Sequence, residues 1–254
     1  MIPYIDIKPI HIWFIPIQPF GVLVGIALVV GYMLGRRRAR LVGLDPQLCA
    51  DGMVWTVVGG FIAAHLVSVI FYFPHRILDN PLVLLAVWSG LSSFGGYIGG
   101  ALGAYLFFKR RGVPSIIKYV DAITFGLVPA WILGRMGCTV VHDHPGKETL
   151  FFLGVKYKDG IIRHDLGLYE MLLAIVLTGI LYALKNVRPF DGFHPALMLL
   201  LYSPVRFMLD YLRVGDKTYL GLTPGQYASI AMVLLAVILI VHGVKQRRAA
   251  PQPA

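Results

Sequence analysis

The stretch TPGQYASIAMVLLAVILIVHG, residues 223–243, carries no Asp, Glu, Lys or Arg, and the basic run Lys245-Gln246-Arg247-Arg248 follows almost at once. At about 1.5 Å of rise per residue, roughly 20 apolar residues in a helix cross a hydrocarbon core about 30 Å thick. The stretch therefore reads as a membrane span with a basic end. Comparable windows lie at about 11–35, 52–74, 82–108, 116–134, 166–185 and 194–213. Together they predict an all-α integral membrane protein, with seven transmembrane helices and a small external cap between helices four and five. The first window has neither a basic leader nor a small-residue cleavage pattern, and it is expected to be retained as a span.

Composition excludes a soluble domain. Of 254 residues, 57% are hydrophobic and only 14% charged, with a mean hydropathy of +0.71, whereas soluble chains carry about 25% charged residues. Lys and Arg number 23 against 13 Asp and Glu, a net charge of +10. Arg36-Arg37-Arg38-Ala39-Arg40, Lys109-Arg110-Arg111 and the run at 245–248 each border an apolar window, as topology signals do, and form no single stripe. Anionic lipid is the expected counterpart and nucleic acid is not. The positive-inside rule, applied also to Lys185 and Arg188, puts the carboxyl terminus in the cytoplasm and the amino terminus outside. The longest external connection is then about 135–165, with Tyr157-Lys158-Asp159-Gly160 as a hairpin turn. Residues 1–249 read as one polytopic membrane domain and 250–254, Ala-Pro-Gln-Pro-Ala, as a disordered tail. Cys49 and Cys138 form no disulfide framework and match no common metal spacing, so no metal site is expected.

Within a bilayer the informative residues are polar ones inside apolar windows, since each costs a few kcal/mol unless paired or facing a wet cavity. Tyr202, Arg206, Asp210 and Arg213 fall at i, i+4, i+8 and i+11, along one helical stripe. Seven residues inside Arg213, or about 10 Å, Arg206 is expected near the depth of the outer lipid phosphates. Two roles fit it: locking helices together through Asp210, or holding an anionic group. Gly134-Arg135-Met136-Gly137-Cys138 at the outer end of the fourth window, followed by His142-Asp143-His144-Pro145-Gly146, supplies a second arginine at similar depth. Together the two arginines would make a phosphate clamp. The run Gly90 to Gly100, with Gly95-Gly96 at its centre, suits close helix packing or the approach of a substrate to backbone groups. His65 follows a comparable small-residue stripe, Asp121 can pair with Lys118, and Glu170 beside Tyr169 can orient an arginine of the clamp. No P-loop, HExxH, CxxC or dinucleotide fingerprint is present. Inverted halves of the transporter kind are not apparent either.

The motifs resemble the prolipoprotein diacylglyceryl transferases of the bacterial inner membrane, over nearly the whole chain. Asp121-Ala122-Ile123, then Gly134-Arg135-Met136-Gly137 and Gly146, is similar to the family's Asp-Ala region and G-R-x-G-N-F-x-N-G-E-x-x-G signature. The run Gly90-Leu91-Ser92-Ser93-Phe94-Gly95-Gly96-Tyr97-Ile98-Gly99 is similar to L-S-F-H-G-G-L-I-G, and Leu168-Tyr169-Glu170 to S-Q-L-Y-E. The stretch from Tyr202 to Arg213 resembles Y-x-x-x-R-F-x-x-E-x-x-R, and Thr223-Pro224-Gly225-Gln226 the G-Q that follows. The resemblance implies transfer of the diacylglyceryl group of phosphatidylglycerol to the lipobox cysteine thiol of a prolipoprotein signal peptide, releasing glycerol 1-phosphate. No cofactor or metal enters that reaction. It implies Arg135 and Arg206 as catalytic arginines, and Tyr202, Asp210, Glu170, Gly95, Gly96 and Gly146 as substrate-binding residues.

Several positions depart from the family pattern. Phe94 stands where the family has histidine, Cys138 and Val141 where it has asparagines, Asp143 where it has glutamate, and Gly167 where it has glutamine. Phenylalanine cannot take a proton from the acceptor thiol, so His142, Asp143 or His144 is expected to serve from the loop. A different acceptor, or lipid binding without catalysis, would equally accommodate Phe94.

Overall fold

The computed structural model describes residues 1–5, 7, 9–13, 15–86, 90–215 and 218–249. The expected tail at 250–254 lies outside them. The helices are α1 (Pro19–Leu41), α2 (Pro46–Val67), α3 (His75–Asp79), α4 (Ser93–Arg110), α5 (Ile116–Val141), α6 (Leu166–Ala183), α7 (Phe193–Asp210) and α8 (Pro224–Ala249). Short strands are β1 (Ile2–Pro3), β2 (Ile10–Ile12), β3 (Ile15–Ile17), β4 (Pro145–Glu148), β5 (Val155–Lys156) and β6 (Ile162–Asp165).

The protein is an all-α, multi-span membrane protein, but the expected count of seven spans is wrong. Among the described residues, five helices are long and apolar enough to cross: Pro19–Leu41, Pro46–Phe71, Ile116–Val141, Leu166–Ala183 and Pro224–Arg248. The window at 82–108 is broken by a 3-10 turn, Pro81–Leu85, and its helix α4 spends much of its 18 residues on glycine before ending in Lys109-Arg110. The window at 194–213 yields α7, also 18 residues, which carries His194, Arg206 and Asp210. Apolar stretches on either side of these residues had made both windows look longer and greasier than the helices are.

The chain divides into two compact units, Arg36–Ile123 and Met1–Gly35 with Thr124–Ala254. In the first, α2 begins at an Asp45 cap whose Oδ1 accepts from the amides of Gln47 at 2.8 Å and Leu48 at 3.1 Å, with Pro46 in the first turn. Helix α4 runs antiparallel along it at very close range. A Cβ on Gly59 would lie 2.5 Å from the Gly99 carbonyl oxygen, and one on Gly95 2.5 Å from that of Ala63. Only glycine permits this approach. His65, fully buried, places Nε2 2.8 Å from the Val83 carbonyl. Near the basic clusters the unit closes on Ala39, Cys49, Phe108, Tyr119 and Ile123.

In the second unit, Phe125, Val128, Leu177, Leu181, Met198 and Tyr202 form the core where α5, α6 and α7 meet. Leu234, Val237, Ile238 and Val241 of α8 stay exposed, as side chains facing lipid do. The connection from α5 to α6 supplies three strands of a four-stranded sheet of order β1-β5-β6-β4, and β1 from before α1 supplies the fourth, pairing parallel with β5 while the other pairs are antiparallel. Gly160, at φ 82°, makes the left-handed turn between β5 and β6. Strand β6 then runs without a break into α6.

Candidate functional site

The Asp165 side chain ends β6 and caps α6, accepting from the Leu168 amide at 2.9 Å. That cap fixes Glu170 in the first turns of α6, where it is 4% exposed. A carboxylate so buried needs partners. Arg135 of α5 places Nη2 2.7 Å from Glu170 Oε2, Arg206 of α7 places Nε 3.6 Å from Oε1, and the Tyr202 hydroxyl donates to Oε2 at 3.1 Å. Three helices thus meet on one carboxylate. Trp131, one turn before Arg135, packs against Tyr202 with ring centroids 4.4 Å apart and lies beneath the Arg135 guanidinium at 6.0 Å.

Asp210, one turn beyond Arg206, pairs with it and with Arg213 at 3.8 Å, and accepts from the Thr223 hydroxyl. Thr223 also begins α8 through a reciprocal cap. Its Oγ1 accepts from the Gln226 amide at 3.1 Å, and Gln226 Oε1 accepts from the Thr223 amide at 3.0 Å. Gly225 is needed for the fit, since a Cβ there would lie 2.6 Å from Asp210 Oδ2 and 3.0 Å from Arg206 Nη2. Of the two roles left open by the sequence, the helix-locking one is visible in Arg206. It pairs along its own helix and also reaches α6. Arg135, Arg206 and Arg213 against Glu170 and Asp210 leave this group of five with one more positive than negative charge, which suits a phosphodiester monoanion.

The loop histidines separate. His142, with φ 51°, turns into the sheet, where its Nδ1 lies 2.6 Å from Asp165 Oδ2 and its ring 4.1 Å from that of Tyr4. Its buried Nε2 has no hydrogen-bond partner among the described residues. Tyr157 donates to the same Asp165 oxygen at 3.2 Å. Asp143 and His144 instead pair with each other beside Cys138. The hydrogen bond that the His144 ring donates to Asp143, and after it the one to Cys138, push the His144 pKa up to about 9. Arg135 Nη1 lies 4.0 Å from Cys138 Sγ, so this corner adjoins the arginines. Gly146 bridges to Arg213 across β4, and a Cβ there would lie 2.8 Å from the Leu212 carbonyl oxygen. Gly95 and Gly96 belong to the other unit, against α2.

Sequence inspection gave no role to Thr223, Gln226, Gly225, Asp165 or Cys138. For the first two a signal existed, because T-P-G-Q before an apolar run is a capping box with proline at the first helical position. For Cys138 none did, since the spacing from Cys138 to Asp143 and His144 matches no familiar ligand pattern.

These features define a multi-span membrane protein with arginines and carboxylates gathered at one end of its helices. The chain belongs to the prolipoprotein diacylglyceryl transferase family, whose match covers residues 9–242. It is similar to the phosphatidylglycerol–prolipoprotein diacylglyceryl transferase of Chromohalobacter salexigens, 29% identical over 97% of this chain and 96% of that one. The enzyme of that name from Thermus thermophilus is 30% identical over 88% of this chain and 93% of its own, and that from Staphylococcus xylosus 28% identical over 96% and 92%.

Proposed function

We propose that the protein transfers the diacylglyceryl group of phosphatidylglycerol to the lipobox cysteine thiol of prolipoproteins, releasing glycerol 1-phosphate. The observation that carries this is the meeting of Arg135 and Arg206 on Glu170 in a chain of this family. In the transfer, the acceptor sulfur bonds to the diacylglyceryl carbon that bears the phosphate, that carbon–oxygen bond breaks, and its electron pair leaves on the phosphate oxygen. Charge grows on the phosphate as the bond breaks, and two guanidiniums held there in advance stabilise it by about 2.7–4 kcal/mol per donor. Glu170, Asp210 and Tyr202 hold the arginines in place. Gly146 keeps the sheet close to Arg213.

Phe94, in the first turn of α4, leaves the thiol proton without the family's histidine. Asp143 and His144, beside Cys138, serve to activate the thiol instead, since His142 is committed to Asp165. The protein works in the bacterial inner membrane with the sheet outside and the carboxyl terminus in the cytoplasm, a topology supported by the basic ends of α1, α4 and α8.

The test is a reaction of the purified protein in detergent with phosphatidylglycerol and a lipobox-cysteine peptide, following glycerol phosphate release and peptide mass together. A peptide heavier by one diacylglyceryl group is the expected result. Phe94 favours a second reading, with another acceptor or none. Glycerol phosphate without peptide modification would establish another acceptor, and neither product with lipid still bound would establish a binder.

A further inference from the structure

Cys138, Asp143 and His144 are the one group of three metal-ligating side chains that converges among the described residues, with a ligand atom from each within 4.8 Å of the other two. We propose that they form a site for a thiophilic divalent cation of the zinc class, whose fourth position takes the acceptor thiol. The donor set decides the metal. A thiolate, an imidazole and a carboxylate suit zinc and discriminate against magnesium and calcium, which prefer all-oxygen shells. Bond lengths of about 2.0–2.3 Å to a tetrahedral ion put ligand atoms roughly 3.3–3.7 Å apart, so the hydrogen-bonded Asp143–His144 contact has to open while the loop adjusts to Cys138 from separations of at most 4.8 Å.

The parts that must move are able to. Asp143 and His144 lie in the loop between α5 and β4, with side chains 43% and 26% exposed. Cys138 is fixed, because α6 presses on it through Gly167, where a Cβ would lie 3.1 Å from that of Cys138. Three protein ligands with one side open to solvent is the arrangement of catalytic zinc, whereas structural zinc is closed by four. Binding would displace the proton that His144 shares with Asp143, the usual exchange at such ligands.

The site has a use in this chain, and for that use alone the inference rests on the transfer proposed above. A thiol that coordinates the cation loses its proton to water and remains a nucleophile as the metal-bound thiolate. Its sulfur then bonds to the diacylglyceryl carbon as the bond from that carbon to the phosphate oxygen breaks. Cys138 thiolate and Asp143 neutralise the ion, so the incoming thiolate adds a single negative charge, and Arg135 lies 4.0 Å from Cys138 Sγ to offset it. The metal thereby replaces the proton acceptor lost at Phe94.

The experiment is a titration of the chelator-treated full chain in detergent with Co²⁺ alone, reading visible ligand-field bands and the near-ultraviolet thiolate-to-metal band. The expected result is saturation at one Co²⁺ per chain, displacement by Zn²⁺, loss of the thiolate band in Cys138→Ser, and at least tenfold weaker binding in His144→Asn and in the exposed variant Asp143→Asn. No thiolate band in the parent protein, or an unchanged one in Cys138→Ser, overturns the site. A lipobox-cysteine peptide is then added. A change in the spectrum that the serine peptide does not cause supports the fourth position, and identical spectra overturn it. Because neither reading involves lipid turnover, failure here is separate from failure of the transfer assay.

Discussion

Glu170 is the side chain on which the candidate site depends, because Arg135, Arg206 and Tyr202 all reach it from other turns or helices. Arg135→Ala and Arg206→Ala are each expected to lower lipid turnover about 10²–10³-fold while insertion stays normal, the usual loss when one donor to a developing oxyanion is removed. Wild-type turnover in either variant, measured as glycerol phosphate release, would count against the clamp. His142 and His144, adjacent in the sequence pattern, are expected to behave differently. Removing His142 deprives buried Asp165 of one partner while Tyr157 and the Leu168 amide remain, so His142→Ala should cost about 1–3 kcal/mol of stability and leave turnover of the folded fraction intact. His144→Ala should do the reverse, with turnover lost and the melting temperature unchanged. The same loss from both would mean that the loop acts as one unit. The stripe from Tyr202 was legible in the sequence because Tyr202, Arg206 and Asp210 obey one helical period, whereas Arg213 lies beyond the end of α7. The carboxylate that joins it to Arg135 was legible only as a type of residue, since Glu170 is 35 positions from one arginine and 36 from the other, by subtraction of their numbers.

Helix termini and helix contacts decide how this arrangement is held. The Thr223–Gln226 cap both starts α8 and aims the Thr223 hydroxyl at Asp210, so one element end serves folding and site together. Gly225 sits within that first turn. Gly225→Ala would press a methyl group against Asp210 and Arg206, and it should cost about 1–3 kcal/mol and lower turnover together with the melting temperature. Gly95→Ala should destabilise by a similar amount through the Ala63 carbonyl, whereas Gly179→Ala in α6, with nothing within 4 Å of the added carbon, should be neutral or gain up to about 1 kcal/mol. Thermal unfolding of the three variants in detergent checks this, and equal effects at Gly95 and Gly179 would remove close packing as the explanation. The run from Gly90 to Gly100 already pointed to tight helix packing. The same helix, α4, ends in Lys109-Arg110 and does not count among the spans, a consequence that a search for apolar length alone could not register.

For the molecule as a whole, the open quantity is which face of the membrane each end occupies. Hydropathy identified a membrane protein but miscounted its spans, and a parity argument depends on that count, although seven and five are both odd and put the two ends on opposite faces alike. Charge placement does not share that weakness. Within Arg36–Ile123, Ala39 at the end of α1 and Phe107 and Phe108 at the end of α4 are buried in one cluster, so the two arginine-rich runs lie at the same end of the unit whatever crosses between them. Basic runs gathered at one end are the pattern of a cytoplasmic face. Both native cysteines are buried, which leaves a low background for labelling. Lys158→Cys in the turn between β5 and β6 should then react with a membrane-impermeant maleimide in intact spheroplasts, while Arg247→Cys should react only after permeabilisation. The opposite pattern would put the sheet, and with it Arg135 and Arg213, on the cytoplasmic side. A lipobox cysteine delivered from outside could not reach them there, so this result would remove the proposed acceptor while leaving the arginines and their carboxylates as a lipid-binding site.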